Sequence, residues 1–284
     1  MATLPEPARY FPVTPRPYRM EAKLVPLGTD FGNGERDRQF FQLDRERERY
    51  LRTRRAIPSP CEAVLCGDEA RRRCHARVVD WMIETLAREH PHLAAPRERS
   101  YAALYELIQE DFAVMYRPAD GADRALGVYV SFPSGWRPER IAGRSFAAIH
   151  RPVPNFADSA ATNASMLASM IERGPYVRFV WTICADHNLD HHPERGTRAA
   201  WRPRGPGWLR VERQVTVPFA EESASLFLIR TYLYPFSSLR RARRTTLAAA
   251  LDSMPQDVAR YKGLTDEVRA IARGILAGGE GSET

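Results

Sequence analysis

The sequence predicts an α+β fold: an antiparallel sheet with helices packed on one face and helical extensions at both ends. Three observations carry this. Five strand-like runs fall between residues 112 and 234, in the order strand, strand, helices, strand, strand, strand. The run Tyr176–Ile183 alternates in side-chain character with the period of two that a pleated strand imposes. The flanking regions instead show the three-and-four spacing of helices. Strands grouped in this way, without strict alternation with helices, are the α+β pattern. The chain therefore divides into an N-terminal arm with covering helices (1–99), a core (100–240) and C-terminal helices (241–284).

Residues 1–35 are rich in Pro and Gly and read as an extended arm. Arg36–Arg55 is densely charged, with Phe40, Phe41, Leu43, Tyr50 and Leu51 interleaved, and predicts a solvated helix with a narrow apolar edge. Ile57–Cys66 reads as a loop or short strand. Asp68–Glu89 predicts a helix with Val78, Val79, Met82, Ile83 and Leu86 on its apolar side, and Ser100–Ile108 predicts a shorter one. Phe112–Tyr116 and Leu126–Phe132 are strands joined by a turn-rich segment, which is a hairpin signal. The second strand breaks at Pro133-Ser134-Gly135. A short helix follows from Pro138, with Ile141, Phe146 and Ile149 at roughly helical spacing, and it stops at Pro152 and Pro154. Asn163–Arg173 predicts a helix closed by Gly174-Pro175. Tyr176–Ala185, Leu209–Val217 and Ser225–Tyr234 are strands, the last rich in β-formers. Thr246–Asp252 and Pro255–Ala277 predict closing helices.

Composition sets outer limits. The 284 residues are 44% hydrophobic, enough for a sizeable core. No segment approaches the ~20 apolar residues of a membrane span. The N-terminus lacks an apolar signal core, and four cysteines do not make a disulfide scaffold, so a cytoplasmic setting is expected. The net charge of +7 favours acidic partners without identifying them. Nucleic acid is not expected: the arginines of 45–55 alternate with Asp44, Glu46 and Glu48, which cancel the field. Arg240–Arg244 is a basic cluster that reads as solvated surface or as a docking patch for an acidic redox partner.

Several residues invite a chemical interpretation. His150 lies after an apolar run and before a rigid Pro turn, a placement that suits either a satisfied core histidine or a ligand to a buried prosthetic group. Asp186–His192 holds five potential metal ligands in seven residues, yet Asn188 and Pro193 favour an exposed polar turn. Cys61, Cys66, Cys74 and His75 lack zinc-knuckle spacing. There is no phosphate loop, dinucleotide fingerprint or nucleophile elbow. In Tyr176–Ile183 the pleat puts Phe179, Trp181 and Ile183 on one face, and Arg178, Val180 and Thr182 on the other. Strand arginines usually point to solvent. Several converging on one face could instead hold carboxylates in forked geometry.

A set of short motifs then stands in one order along nearly the whole chain: Pro17-Tyr-Arg-Met20, Gln109-Glu-Asp111, Phe132-Pro-Ser-Gly-Trp136, Ile149-His-Arg-Pro-Val-Pro154, Arg178 with Trp181, Leu209-Arg-Val-Glu-Arg-Gln214, Ile229-Arg-Thr-Tyr-Leu233 and Tyr261-Lys-Gly-Leu264. Together they resemble the haem-dependent oxidative N-demethylase α-subunit family. The resemblance implies a PAS-like sheet over 100–240 that binds haem b through a histidine. It also implies use of O2 with electrons from partner subunits or from a separate reductase carrying FMN and an iron–sulfur cluster. The reaction implied is oxidation of an N-methyl group on a secondary or tertiary amine.

On this footing His150 is the expected iron ligand, and Arg178, Trp181, Arg210, Arg213 and Arg230 are the expected cofactor-binding residues. Glu110 and Asp111 are candidates to steer the amine, and equally candidates for caps or surface charges. One departure stands out. The family pattern has Arg-x-Asn-Trp, and Val180 occupies the asparagine position, which suggests a larger or less polar substrate than dimethylamine. The alternatives are a haem-binding PAS-like sensor, a haem oxygenase acting on a non-amine, and a haem-free relative that binds a small molecule.

Overall fold

The computed structural model describes residues 9–278 except 16, 21–22, 32–36, 59–60, 120, 155 and 157–159. Its centre is one seven-stranded sheet in which every neighbouring pair is antiparallel. The strands are β1 (Val25–Pro26), β2 (Cys61–Val64), β3 (Asp111–Tyr116), β4 (Arg124–Val130), β5 (Tyr176–Cys184), β6 (Trp208–Phe219) and β7 (Ala224–Pro235), in spatial order β1-β5-β6-β7-β3-β4-β2. The α-helices are α1 (Arg47–Arg55), α2 (Glu69–Glu89), α3 (Tyr101–Tyr105), α4 (Phe146–His150), α5 (Ala160–Glu172), α6 (Arg241–Asp252), α7 (Gln256–Tyr261) and α8 (Asp266–Ala277). The class is α+β. Among the described residues no helix is long and apolar enough to cross a membrane, and all four cysteines are free thiols.

The helices occupy both faces of the sheet, against the one-face expectation. On one face α2 and α3 pack over Phe112, Val114, Tyr129 and Leu228, while α6, α7 and α8 pack over Ile183, Leu209 and Val211. On the other face α4 and α5 bring Phe146, Leu167, Met170 and Ile171 onto Met115, Ala125, Val128 and Val130. The strands explain this. β3, β4 and the Leu226–Ile229 stretch of β7 are largely apolar on both sides, as strands covered on both faces must be. A bulge in β4 at Leu126 keeps Ala125 and Val128 on one face while Leu126 and Tyr129 join the other.

Two predicted helices are corrected. Of the predicted helix Arg36–Arg55, Arg36 lies outside the described residues and only Arg47–Arg55 is helical. From 37 to 44 the chain is irregular, and several backbone donors go to side chains. Phe40 N and Phe41 N donate to the two carboxylate oxygens of Glu89 at 2.9 Å, Gln42 N to Glu110 at 2.7 Å and Asp44 N to Gln109 at 2.7 Å. Pro255–Ala277 is two helices. Gly263, at φ +67°, makes the turn, and Thr265 caps α8 by accepting from Val268 N. That turn carries Tyr261 and Lys262 to the edge of β5.

Candidate functional site

Between α4, α5 and the sheet lies a cavity of about 1620 Å³, larger than the ~300–1,000 Å³ of ordinary ligand pockets. Its sheet wall is built by residues that one pleat places together: Arg178, Val180 and Thr182 from β5, Arg210, Glu212 and Gln214 from β6, and Phe227 and Ile229 from β7. Its opposite wall includes Phe146, Ile149, His150 and Phe156. The lining also reaches round the edge of β5, where Phe179 and Trp181 contribute from the other face.

His150 ends α4. Its ring lies between Phe146 and Phe156, with centroids 4.2 and 4.8 Å away. Its Nδ1 is 2.9 Å from Phe146 O. A carbonyl only accepts, so Nδ1 carries the hydrogen and Nε2 keeps a lone pair. No protein group takes up that Nε2 among the described residues. Burial, and then the nearby Arg178 charge, push the imidazolium down to about 4 despite the Phe146 carbonyl, so the ring is neutral at physiological pH. A neutral, oriented imidazole with a free Nε2 in an apolar recess is what metal ligation requires.

Arg178 is the second unusual group. It makes no hydrogen bond or ion pair among the described residues, and its Nε is buried without a partner. Burial lowers its proton affinity, and the field of Glu212 only partly offsets this. An unpaired cation on a cavity wall is expensive unless a ligand answers it.

The other expected cofactor residues have different places. Trp181 is on the opposite face, packed edge-on to Tyr18, with Lys262 Nζ donating to its carbonyl at 2.7 Å. Arg210 is on the cavity face, but its donors go to Leu189 O (2.8 Å), Phe132 O (2.6 Å) and Thr231 Oγ1 (3.4 Å). Arg213 and Arg230 face away from the cavity and sit opposite each other in the β6–β7 register. Arg213 holds Asp37 in a two-pronged pair at 2.6 and 2.7 Å. Arg230 bonds Asp44 at 2.8 Å and stacks on Tyr50. The arginines therefore do not converge on one face. Arg210 and Arg213 are three residues apart, and an odd separation in a strand puts them on opposite faces.

Glu110 and Asp111 are fully buried and outside the cavity lining. Glu110 accepts from Gln42 N. Asp111 accepts from Tyr105 OH at 2.7 Å and Phe132 N at 2.8 Å, beside Arg54. Burial raises the proton affinity of both carboxylates. Their place is a clip that fastens the 37–54 segment and the Phe132 bend to the sheet.

The loop after β5 is also not the exposed turn expected. Asp186, Asp190, His191 and His192 are buried. Asp186 accepts from His191 Nε2 (3.0 Å), Asn188 N (2.7 Å) and Ala199 N (2.7 Å), and His191 bridges to Ser134. The loop braces the Phe132–Trp136 bend. Among the described residues no group of three or more His, Cys, Asp or Glu is placed to hold a metal ion. A haem iron needs only one or two protein ligands, the porphyrin supplying the rest.

Against this geometry, the family model for haem-dependent oxidative N-demethylase, alpha subunit-like, matches residues 81–271, more than half of the chain. The chain belongs to that family. No curated protein matches it. Family membership points to haem-dependent oxidative chemistry of the N-demethylase kind. The residues present fit a haem: one free imidazole nitrogen, one unanswered cation and a cavity of sufficient size.

Glu212 and Lys262 are charged cavity residues with no role of their own assigned from the sequence. A signal for the second was there. Of the 42 Lys and Arg residues only Lys23 and Lys262 are lysine, and both line the cavity.

Proposed function

We propose that this protein binds haem b through His150 Nε2 and, with O2 and electrons from a separate FMN and iron–sulfur reductase, oxidises the N-methyl group of a secondary or tertiary amine. The products are the shortened amine, formaldehyde and water, with O2 taking two electrons and two protons. The observation that carries this is the pairing of a free, fixed His150 Nε2 with an unpartnered Arg178 across one large cavity of a chain in this family. When bound, haem supplies the O2 activation and the electron path.

The chain's own residues do the rest. Phe146 O and the flanking rings hold His150 in one tautomer and one orientation. Arg178 offers a guanidinium fork to a propionate. Arg213 and Arg230, committed to Asp37 and Asp44, are left out of that role, and Glu110 and Asp111 out of steering the amine. Val180 lies on the cavity wall, so the substitution of an amide by an isopropyl group falls where substrate would sit. A substrate with more apolar surface than dimethylamine fits that wall. The two-sided antiparallel sheet with α4 and α5 between β4 and β5 supports a PAS-like core over 100–240, in a cytoplasmic enzyme.

The test is turnover. The purified, haem-loaded protein with a chemical reductant and O2 should release formaldehyde from one or more of a panel of methylated amines. Bound haem with no amine turned over, and no amine shifting the spectrum, would transfer the site to another haem oxidation or to sensing.

A further inference from the structure

Lys262 reaches the cavity from the α7–α8 turn, over the edge of β5. Beyond Val177 no described strand pairs with that edge. Its Nζ donates to Trp181 O at 2.7 Å and lies 5.9 Å from the Trp181 ring centroid. An ammonium has three donors, so two are unspent. Arg178 lies four residues before Thr182 on the same strand and spends no donor among the described residues, its Nε being buried without a partner. Among the described residues the carboxylate on this part of the sheet wall is Glu212; Asp30 also lines the cavity and has an interaction of its own. Glu212 already lies 3.6 Å from Arg210 Nε and accepts from Gln214 Nε2 at 3.1 Å.

The charges on this wall therefore do not cancel. Arg210 and Glu212 answer each other, and Arg178 and Lys262 remain. Burial together with the Arg178 charge pushes the Lys262 ammonium down to about 8, with Glu212 opposing, as expected for a cation lacking its counter-ion. Elsewhere in this molecule buried arginines are matched: Arg213 by Asp37 and Arg230 by Asp44. Two unmatched cations side by side on a cavity wall are the exception.

We propose that Arg178 and Lys262 form a two-pronged carboxylate-binding subsite at the β5 edge of the cavity. The pairing of a planar fork with a mobile point charge suits one carboxylate held from two directions. This deepens the proposed function and rests on it for the ligand's source. The carboxylate belongs either to a haem propionate or to the substrate, which would then be an N-methylated amino acid and not a simple alkylamine.

With only two lysines in the chain, amine labelling reads the subsite directly. The full-length protein is treated with an acetylating reagent, and acetylation at Lys262 and Lys23 is followed by mass spectrometry. A lysine-containing reference peptide in the same reaction is the internal control, because Lys23, though exposed, also lines the cavity. The probes are hemin and hemin dimethyl ester on the haem-free protein, and N,N-dimethylglycine and dimethylamine on the haem-loaded protein. At a probe concentration near ten times its dissociation constant, labelling of Lys262 should fall about tenfold. Protection by hemin but not by its ester identifies the propionate. Protection by dimethylglycine but not by dimethylamine identifies a substrate carboxylate.

Arg178→Met should abolish the protection, and Arg178→Lys should keep part of it if the methionine variant does not fold. Lys262 labelled equally with and without every probe overturns the subsite. So does equal protection by probes whose carboxylate is blocked or missing. No turnover is needed, so a protein that demethylates nothing still reports on this site.

Discussion

Arg213 and Arg230 on one face of the sheet and Arg178 on the other are buried arginines in opposite situations. On the face away from the cavity Arg213 and Arg230 are each closed by a carboxylate, Asp37 and Asp44, from the segment laid across them. On the cavity face Arg210 is held by two backbone carbonyls, while Arg178 meets no partner among the described residues. Buried arginine is thus structural where the chain supplies the anion, and available for binding where it does not. The family motifs contain both kinds, so a motif residue is not a site residue until its face and its partner are known.

The largest expected effect tests the closed face. Asp37→Ala strands Arg213 at a buried position, and loss of one member of a buried pair costs about 3–5 kcal/mol. Urea unfolding of the variant should show a loss of that order. A loss below about 1 kcal/mol would mean the pair is solvated and the contrast between the faces is false.

The open face should respond in the other sense. Arg178→Met removes an unmatched cation, so the haem-free protein should be unchanged or slightly more stable. Haem retention should weaken by roughly tenfold or more, the equivalent of one charge-assisted hydrogen bond of about 1.5–3 kcal/mol. Dialysis of hemin-loaded protein against apomyoglobin checks retention. Destabilisation as large as that of Asp37→Ala would place Arg178 among the structural arginines.

Much of this was legible in the chain. The period of two in Tyr176–Ile183 gave the correct faces for Arg178, Val180 and Trp181, because alternation is a local property of a pleated strand. The same rule separates Arg210 from Arg213, and applying it along β6 would have removed Arg213 from the expected haem anchors, whereas Arg230 on β7 needed the β6–β7 register. Glu110 and Asp111 were ambiguous for a different reason. Their partners, Gln42 N and Phe132 N, are set by tertiary packing, which spacing does not encode. Segment 37–44 looked helical because its charges and apolar residues mix. Glu89, Gln109 and Glu110 capture its backbone donors from far along the chain and hold it out of a helix. The turn at Lys262 depended on Gly263, a small signal inside an otherwise helical pattern.

The smallest expected effect is a slope. The Lys262 ammonium, depressed from 10.5 to about 8 in the folded protein, binds its proton less readily than the unfolded chain does. Below pH 8 the whole penalty is present. Between about 8 and 10.5 the unfolded state holds more protons, so stability rises with pH across that window. Relative to Lys262→Met, the wild type should therefore gain stability from pH 8 to 10.5. Parallel stability curves for the two proteins would show that Lys262 is not strained by its surroundings.

The central claim is that the cavity face is built to hold haem by His150, and absorbance of the hemin-loaded protein tests it most directly. His150→Ala should keep its far-ultraviolet circular dichroism, because His150 is only half-buried at the end of a five-residue helix. It should lose most of its haem on gel filtration and shift the Soret band of what remains. A variant with wild-type haem load and an unchanged Soret band would contradict the account.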